Sequence, residues 1–310
     1  MGLHPLDLPP LRSSPGYESL RSALARLTPS PASFTAPVED ALPTASITWL
    51  TRLVASPLAW LSPGQAEEIL SLGSAVLSLQ CGRSAAPSMT RSFTVPTHAD
   101  DTRPAAAVVI DIHEPTLTAD SLGLKTWSTS FLLARRLSTI FPGPARDCGS
   151  MLELGSGTGL VGIACARVLR GHVTLTDYLD DITQNLRRNV HGNGITNGRV
   201  EWLDWTRPGE SSIYHESYDL VVASDFMYDV SHPALVVDMF NHFTAARGRV
   251  LAAYPLRPSN ADFIKDFTSR MAASRWTVLE SGVESGYDDW GGDEGVTVHW
   301  HLYRRAAPIA

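Results

Sequence analysis

Residues 150–178, SMLELGSGTGLVGIACARVLRGHVTLTDY, decide the fold of this chain. A short apolar run from Met151 to Leu154 precedes three glycines and then apolar residues at helical spacing, which predicts a strand, a tight turn and a helix. The run from His172 to Thr176 predicts a second strand that ends at Asp177. Because ligands of parallel sheets bind beyond the carboxyl ends of the strands, we expect the glycine turn and Asp177 to face a common ligand.

The glycine turn fits two cofactors. The segment Gly157-Thr-Gly-Leu-Val-Gly162 fits the G-x-G-x-x-G pattern of dinucleotide sites, and Asp177 lies 20 residues after Gly157, as that pattern requires. The segment Glu153-Leu-Gly-Ser-Gly-Thr-Gly159 fits the E-x-G-x-G-x-G pattern of S-adenosylmethionine (SAM) sites. An acid in the turn suits the ammonium and sulfonium of SAM and is unfavourable beside a pyrophosphate, so we favour SAM over NAD. A structural turn without a ligand is the third alternative, although packing alone does not require three glycines.

Composition limits the class of protein. The 310 residues are 44% hydrophobic and 18% charged, as is typical of a globular protein, and their formal net charge is −7. This negative charge argues against a nucleic-acid binder, which would show a basic face. The three cysteines, Cys81, Cys148 and Cys165, have neither CxxC nor metal-ligand spacing, so we expect a reducing, cytoplasmic environment. We expect no signal peptide and no membrane-spanning segment.

The order of predicted elements indicates an α/β fold. Strand and helix patterns alternate from the glycine turn onwards, which predicts a parallel sheet. Its later strands are predicted over 200–205, 218–228, 248–254, 276–279 and 295–303. The last two strands have no helix between them, so they should pair antiparallel. The result is a Rossmann-like seven-stranded sheet with an antiparallel last strand.

The first part of the chain has a different character. Residues 1–16 are rich in proline and serine, which predicts a disordered tail. Residues 17–91 carry three amphipathic patterns, so we expect a helical N-terminal region ahead of an α/β domain over 92–310. Ser62 and Pro63 have the residue types of a helix N-cap and first helical position. Near the other end of the chain, residues 288–294 form an acidic, glycine-rich loop that could attract a basic substrate.

Three motifs together resemble a known family. They are L-E-L-G-S-G-T-G-L-V-G at 152–162, L-D-W at 203–205 and D-x-x-Y at 225–228. In combination they resemble the seven-β-strand protein-lysine methyltransferases of methyltransferase family 16, over about residues 120–304. The long helical N-terminus is most similar to the branch that methylates translation elongation factor 2. The resemblance implies that residues 92–310 form a SAM-dependent methyltransferase domain. It also implies a protein lysine as acceptor, elongation factor 2 as the candidate substrate, and a monomeric enzyme.

The resemblance also implies a cofactor site made of eight residues. Trp127 would lie against the cofactor, and Ser224 would lie beside its methyl group. The remaining six would contact its methionine end (Glu153, Gly155 and Gly157), its ribose hydroxyls (Asp177) and its adenine edge and face (Asp204 and Trp205).

Asp225 and Tyr228 are the implied catalytic residues. Methyl transfer requires a neutral amine, whereas free lysine has a pKa of about 10.4. Asp225 could hold the amine by hydrogen bonds, and the ring of Tyr228 could stabilise positive charge from its face. The alternative roles are a capping acid after a strand for Asp225 and a packed aromatic for Tyr228.

Two other functions stay open from the sequence. The same fold could methylate a small biosynthetic molecule, because one fold serves many substrates. It could also be a non-catalytic module that binds a partner through its N-terminal helices. His299 and His301 alternate on a predicted strand, but no further ligand accompanies them, so we predict no metal site.

Overall fold

The computed structural model describes residues 7–28, 34–36, 42–81, 85–97, 106–116, 122–142, 148–288 and 295–306. Its strands are β1 (Met89–Pro96), β2 (Ala107–Glu114), β3 (Ser150–Leu154), β4 (His172–Asp177), β5 (Gly198–Trp202), β6 (Tyr218–Ser224), β7 (Thr244–Pro255), β8 (Trp276–Tyr287) and β9 (Gly295–Arg305). Its α-helices are α1 (Tyr17–Leu27), α2 (Thr44–Val54), α3 (Pro63–Leu79), α4 (Ser128–Ile140), α5 (Leu160–Val168), α6 (Asp180–Gly192), α7 (His232–Phe243) and α8 (Ala261–Ala273). In the described part of the chain, the helices are too short or too polar to span a bilayer.

Seven strands form the central sheet, in the order β5-β4-β3-β6-β7-β9-β8. The first five strands in this order run parallel, and β9 lies antiparallel between β7 and β8. This arrangement confirms the predicted Rossmann-like sheet with its antiparallel last strand. The chain leaves β3 for β4 on one side and later returns to β6 on the other. The carboxyl end of β3 is therefore a switch point of the kind where open α/β sheets bind ligands.

Several strand bounds differ from the prediction, and three of the differences are large or lie at the site. β5 ends at Trp202 and β6 at Ser224, so the predicted ends at residues 205 and 228 are wrong. The chain leaves β6 because Asp225 adopts a φ of +53°, outside the β region. β8 continues past Leu279 to Tyr287, because a register shift between Val278 and Glu280 lets it pair with β9 along its whole length.

The sheet is buried on both faces. On one face, α4, α5 and α6 and the hairpin formed by β1 and β2 pack against the apolar side chains of the sheet. On the other face, α7 and α8 pack around Phe240, Phe243 and Phe267. Cys165 is buried within the first of these two layers, in α5. Burial on both faces explains the almost uninterrupted apolar run of β6.

The N-terminal helices have a leucine core of their own. Helices α1, α2 and α3 pack around Leu20, Leu24, Leu50 and Leu53. Helix α3 begins with a capping box, in which the Ser62 hydroxyl accepts from the Gln65 N–H and the Gln65 side chain accepts from the Ser62 N–H. The cap predicted from the sequence is therefore confirmed.

The tail does not behave as predicted over residues 7–16. Leu8 is buried against the leucine core, and the Trp49 indole N–H donates to the Pro9 carbonyl at 2.8 Å. The Trp60 indole N–H donates to the Pro15 carbonyl at 2.9 Å. The prediction of disorder is wrong for this part because two tryptophans hold its backbone. Residues 1–6 lie outside the described residues, and the domain bounds at 17, 91 and 92 stay predictions.

Phe34 connects the N-terminal region to the methyltransferase layers. Its ring is fully buried, lies 5.9 Å from the ring of Phe93 in a stacked arrangement, and lies 6.0 Å from Phe131. Its carbonyl accepts a hydrogen bond of 3.0 Å from the N–H of Tyr287 on β8. Phe34 also has a φ of +58°, which a non-glycine residue adopts only when its surroundings compensate. Aromatic packing on both sides provides that compensation.

A row of asparagines on α6 joins the hairpin of β1 and β2 to that helix by hydrogen bonds. Asn185, Asn189 and Asn193 lie on one face of α6 and its cap, four residues apart, and bond the outer backbone edge of β2. The Asn193 side chain pairs with both backbone groups of Asp111, and the Asn189 side chain with both of His113. The asparagine side chains thereby do what a neighbouring strand would do. They bond the backbone N–H and C=O groups along the free edge of β2.

Candidate active site

The glycine loop follows β3 directly. Gly155, Gly157 and Gly159 have φ values of +62°, +52° and +89°, which side chains resist. A Cβ on Gly157 would lie 2.9 Å from the carbonyl oxygen of Gly123, and one on Gly155 would lie 3.3 Å from the Trp205 ring. The loop is therefore a bare backbone cradle that lies between two walls, one on each side of the cleft.

Glu153 stands at the end of β3 and is almost fully buried. Its Oε2 accepts a hydrogen bond of 3.0 Å from the Gly162 N–H at the start of α5. Burial raises the pKa of Glu153 to about 8, although hydrogen bonds from Ser156 and Gly162 oppose the rise. The sequence predicted that this acid lines the methionine end of the cofactor. The carboxylate bonds the first turn of α5, and its predicted contact to the methionine end of the cofactor stays a prediction.

Asp177 ends β4, as the sequence predicted. Its Oδ2 accepts from the Gly157 N–H at 3.0 Å and its Oδ1 from the Tyr178 N–H at 2.8 Å. Burial raises the pKa of Asp177, and backbone hydrogen bonds from Gly157, Tyr178 and Leu179 partly counter this. The acid therefore faces the cradle with its position fixed by main-chain donors. Its predicted contact to ribose stays a prediction.

Asp204 and Trp205 lie in the loop after β5, and their side chains have different surroundings. The Asp204 carboxylate accepts from the N–H and hydroxyl of Thr206 and pairs with Arg207 at 3.1 Å. Burial acts to raise the pKa of Asp204, but these hydrogen bonds and the Arg207 charge lower it overall. The Trp205 ring reaches Gly155 and lies 5.7 Å from His232. Of these two side chains, Trp205 borders the cradle, as a flat ring surface beside Gly155.

Trp127 forms the wall on the other side. It caps α4 and is half-buried, and its indole N–H donates to the Leu122 carbonyl at 3.3 Å. The hydroxyls of Thr126 and Thr158 lie 2.8 Å apart, so the wall is joined to the glycine loop. The guanidinium of Arg257 lies 5.9 Å from the Trp127 ring centre. The predicted position of Trp127 beside the cradle is consistent with these contacts.

Ser224 and Asp225 follow at the end of β6. The Ser224 hydroxyl lies 3.2 Å from that of Ser130 on α4, and the Asp225 N–H donates to the Ala253 carbonyl at 2.9 Å. Within the described residues, Asp225 Oδ2 is buried and makes no hydrogen bond that satisfies geometric criteria. Burial raises the pKa of Asp225 to about 6. The Thr129 hydroxyl, which acts as a weak donor to the carboxylate outside strict hydrogen-bond geometry, and the charge of Arg257 lower this pKa, and the charge of Asp288 raises it.

Tyr228 lies outside the strand, on the surface. Its side chain is 68% exposed, and its ring packs edge-on against His232 with centres 4.4 Å apart. The His232 ring is held in turn by its Nδ1, which lies 2.9 Å from the Phe226 carbonyl oxygen. The tyrosine therefore borders the carboxyl edge of the sheet beyond Asp225, and its predicted catalytic role stays a prediction.

Two residues of this region escaped the sequence interpretation. Arg257 follows β7 and pairs with Asp288 at 2.8 Å, beside both Asp225 and Trp127. Asp288 is the one residue of the acidic loop 288–294 that lies within the described part of the chain. A single arginine after a strand carries no motif, so the sequence offered no signal for this pair.

The arrangement fits SAM. The cradle is one that a Cβ would fill, the Trp205 ring offers a flat apolar surface, and a carboxylate stands at the end of β4. On the acceptor side, Oδ2 of Asp225 is buried and makes no hydrogen bond that satisfies geometric criteria within the described residues. Within the described residues, no group of three or more His, Cys, Asp or Glu side chains could hold a metal ion.

Comparisons with known proteins agree with this site. Residues 105–272 match the model of a family described as lysine methyltransferase. The protein-lysine N-methyltransferase rrg1 of Schizosaccharomyces pombe is 29% identical, over 98% of this chain and 99% of that protein. The protein-lysine N-methyltransferase EFM2 of Saccharomyces cerevisiae is 33% identical, over 73% of this chain and 57% of that protein.

Two further matches are shorter or have lower sequence identity. The EEF1A lysine methyltransferase 3 of Mus musculus is 31% identical over 34% of this chain and 45% of that protein. Among solved structures, a putative RNA methyltransferase from Pyrococcus horikoshii is 15% identical, with a TM-score of 0.46, over 60% of this chain and 89% of that one.

Proposed function

The chain belongs to the lysine methyltransferase family, and we propose that its acceptor lysine enters beside Asp225, in the loop after β6. The protein is a SAM-dependent methyltransferase of protein lysine, like the relatives that match it along most of its length. The two halves of the cleft would then have separate tasks. The glycine loop would hold the cofactor, and the end of β6 would hold the amine.

The observation that supports this proposal best is the buried Oδ2 of Asp225. A buried carboxylate oxygen without a hydrogen bond is rare in folded proteins, and such an atom calls for an explanation. An amine N–H would supply the missing donor. The φ of +53° at Asp225 points to the same conclusion, since strained backbone collects at functional sites.

Asp225 would bind and orient the amine. With a pKa of about 6, its carboxylate is ionised at neutral pH and can accept hydrogen bonds from the nitrogen. A lysine that leaves water for this buried edge has its pKa lowered by desolvation, which favours the neutral form that can be methylated. When bound, SAM supplies an electrophilic methyl group on a sulfonium. The exposed ring of Tyr228 would stabilise cationic charge at the entrance.

The cofactor residues would act by position. Asp177 would accept from the ribose hydroxyls, and Gly155 and Gly157 would allow close approach of the methionine part. Trp205 would cover the adenine face and Trp127 would close the opposite side. Ser224 would lie beside the methyl group, and Asp204 would contribute only by shaping the adenine loop.

We propose a translation elongation factor as the protein substrate, with elongation factor 2 as the first candidate. The name of the mouse relative gives support for an elongation factor, and the long helical N-terminus supports elongation factor 2. A monomeric enzyme in the cytoplasm would suit such a substrate.

Labelled SAM and a cell lysate test the proposal. The wild-type chain should transfer label to one protein band, and mass spectrometry should locate it on a lysine. Asp225→Ala should lower the rate by at least about 100-fold, since positioning groups commonly contribute that much. Asp266→Ala, in an exposed ion pair on α8, is the matched control and should retain the full rate. Label that enters only small molecules, or persists in Asp225→Ala, would contradict the proposal.

A further inference from the structure

Five large apolar side chains stand exposed in the loops at the carboxyl edge of the sheet. These side chains, which we call the apolar rim, are exposed by 40–78% and are Leu122, Tyr178, Tyr228, Val230 and Leu256. Single exposed apolar residues are ordinary on protein surfaces, but a group of them around one cleft marks an interaction surface.

The rim borders both sides of the cleft. Tyr178 directly follows Asp177, and Tyr228 lies near enough to Asp177 for the charge of that carboxylate to help raise the pKa of the Tyr228 hydroxyl, after burial. On the other side, the Leu122 carbonyl accepts from the Trp127 indole, and Arg257, which follows Leu256, lies over that same ring. The rim is therefore continuous with the edge at which the acceptor would enter.

Exposed acids alternate with these side chains. Asp180 and Asp181 begin α6 just after Tyr178, and Asp229 lies between Tyr228 and Val230. The side-chain and backbone hydrogen bonds from Ser231 lower the pKa of Asp229, so it stays ionised at neutral pH. Among the described cations at this edge, Arg257 pairs with Asp288, Arg207 pairs with Asp204 and Glu210, and Lys125 is buried over the Trp127 ring. The edge therefore presents negative charge together with apolar surface.

We propose that the apolar rim and these three acids form a docking surface for a basic, apolar segment of the substrate protein, in which arginine or lysine and large apolar residues flank the acceptor lysine. This inference rests on the proposed protein acceptor. The apolar side chains bury surface against the segment, which gives affinity. The acids attract its positive charge and disfavour acidic segments, which gives selectivity.

Paired double variants test the apolar part. Val230→Ser with Leu256→Ser changes the rim, whereas Val278→Ser with Val283→Ser changes comparably exposed residues on β8. The rim variant should transfer label to lysate protein at least about tenfold more slowly, because two apolar contacts are lost. The β8 variant should stay within about twofold of wild type. Calorimetry should give the same SAM affinity for both, since neither changes a residue that we place at the cofactor.

Charge reversal and competition test the chemistry of the segment. Asp181→Lys with Asp229→Lys should slow protein labelling about tenfold at 50 mM NaCl and less at 500 mM, where charges are screened. A soluble peptide of alternating arginine and leucine should inhibit labelling by wild type. A glutamate and leucine peptide of the same length should inhibit at least about tenfold less, because like charges repel it from the rim.

The outcomes separate the two proposals. Label that appears only in small molecules, or that survives Asp225→Ala, contradicts the proposed function. Label that enters protein equally well in the rim and β8 variants overturns the docking surface alone. Equal inhibition by the two peptides also overturns it, and so does a rim variant that has lost SAM binding.

Discussion

The two halves of the cleft treat their buried carboxylates differently. On the cofactor half, Glu153 and Asp177 are tied to backbone N–H groups of the loop, at 3.0 Å to Gly162 and 3.0 Å to Gly157. On the acceptor half, Asp225 has a buried oxygen that makes no hydrogen bond with the described residues. The carboxylates of the cofactor half accept hydrogen bonds from the main chain. On the acceptor half, one carboxylate oxygen can still accept a hydrogen bond.

This difference teaches how the site divides stability from function. Buried groups that are fully bonded stabilise the fold and preform a binding cradle. A buried charge that lacks a donor destabilises the fold until a ligand supplies one. Burial raises the pKa of the acids on both halves, so the halves differ in the hydrogen bonds that a substitution removes: Glu153 loses a bond to the main chain, whereas Asp225 Oδ2 has none to lose.

The largest loss of stability should follow Glu153→Ala. The change leaves the buried Gly162 N–H without its acceptor and opens a cavity beside α5. We expect the free energy of unfolding to fall by about 2–5 kcal/mol. Chemical denaturation of this variant and of Glu153→Gln measures the effect, since glutamine retains an acceptor. Equal losses in both variants would show that the hydrogen bond is not the cause.

A smaller loss should follow Gly157→Ala. The new side chain meets the Gly123 carbonyl and forces alanine into a φ of +52°, which should lower stability by about 1–3 kcal/mol. SAM affinity, measured by calorimetry, should fall by about 10- to 100-fold because the cradle is filled. Gly192→Ala is the matched control, because a Cβ there meets nothing within 4 Å. It should bind SAM normally, and weakened binding in the control would remove the argument.

On the acceptor half, Asp225→Asn should stabilise the protein. The pKa is about 6 in the folded state and about 3.9 in an unfolded chain, so the folded state binds the proton more tightly. The contribution of Asp225 to stability is therefore most favourable below pH 4 and is lost as the pH rises through 6. Asparagine removes this decrease, so the variant should be about 1–3 kcal/mol more stable at pH 8. Near pH 3.5 the two melting curves should coincide, and a variant less stable at pH 8 would disprove the comparison.

The smallest effect on stability should come from Tyr228→Ala. The ring is 68% exposed and, among the described aromatic rings, packs against His232, so the free energy of unfolding should change by less than about 0.5 kcal/mol. Methyl transfer to protein should nevertheless slow by about tenfold, because cation–π stabilisation at the entrance is lost. A loss of stability without a loss of rate would mean that the ring is merely packed.

Much of the cofactor half was predictable because its signals are local. The glycine spacing predicts the backbone conformation of the turn, and the 20 residues from Gly157 to Asp177 predict one helix and the strand that follows it. The orientation of Glu153 was not predictable, because the pattern fixes a residue type and not the direction of its side chain. Its true partner, Gly162, belongs to the same motif.

The acceptor half was harder to predict because its determinants are tertiary. The apolar run of β6 continues through Phe226 and Met227, so nothing in it announces the turn at Asp225. The pairing of Arg257 with Asp288 joins residues 31 positions apart in loops. The asparagines of α6 follow a clear spacing of four, yet only the backbone of β2 gives that spacing its meaning.

Through Phe34, the N-terminal region covers part of the edge of the sheet, and this role does not depend on which substrate the enzyme binds. β8 is the outermost strand of the sheet, and the Phe34 carbonyl occupies the N–H of Tyr287 near its end. If a protease cut the chain after residue 34 and Phe34 dissociated, that amide would be exposed to solvent. The aromatic surface of Phe93 and Phe131, against which Phe34 packs, would be exposed with it. Unpaired strand edges and exposed aromatic surface promote aggregation. Truncated forms that begin after Phe34 should therefore precipitate at concentrations at which the intact chain stays in solution.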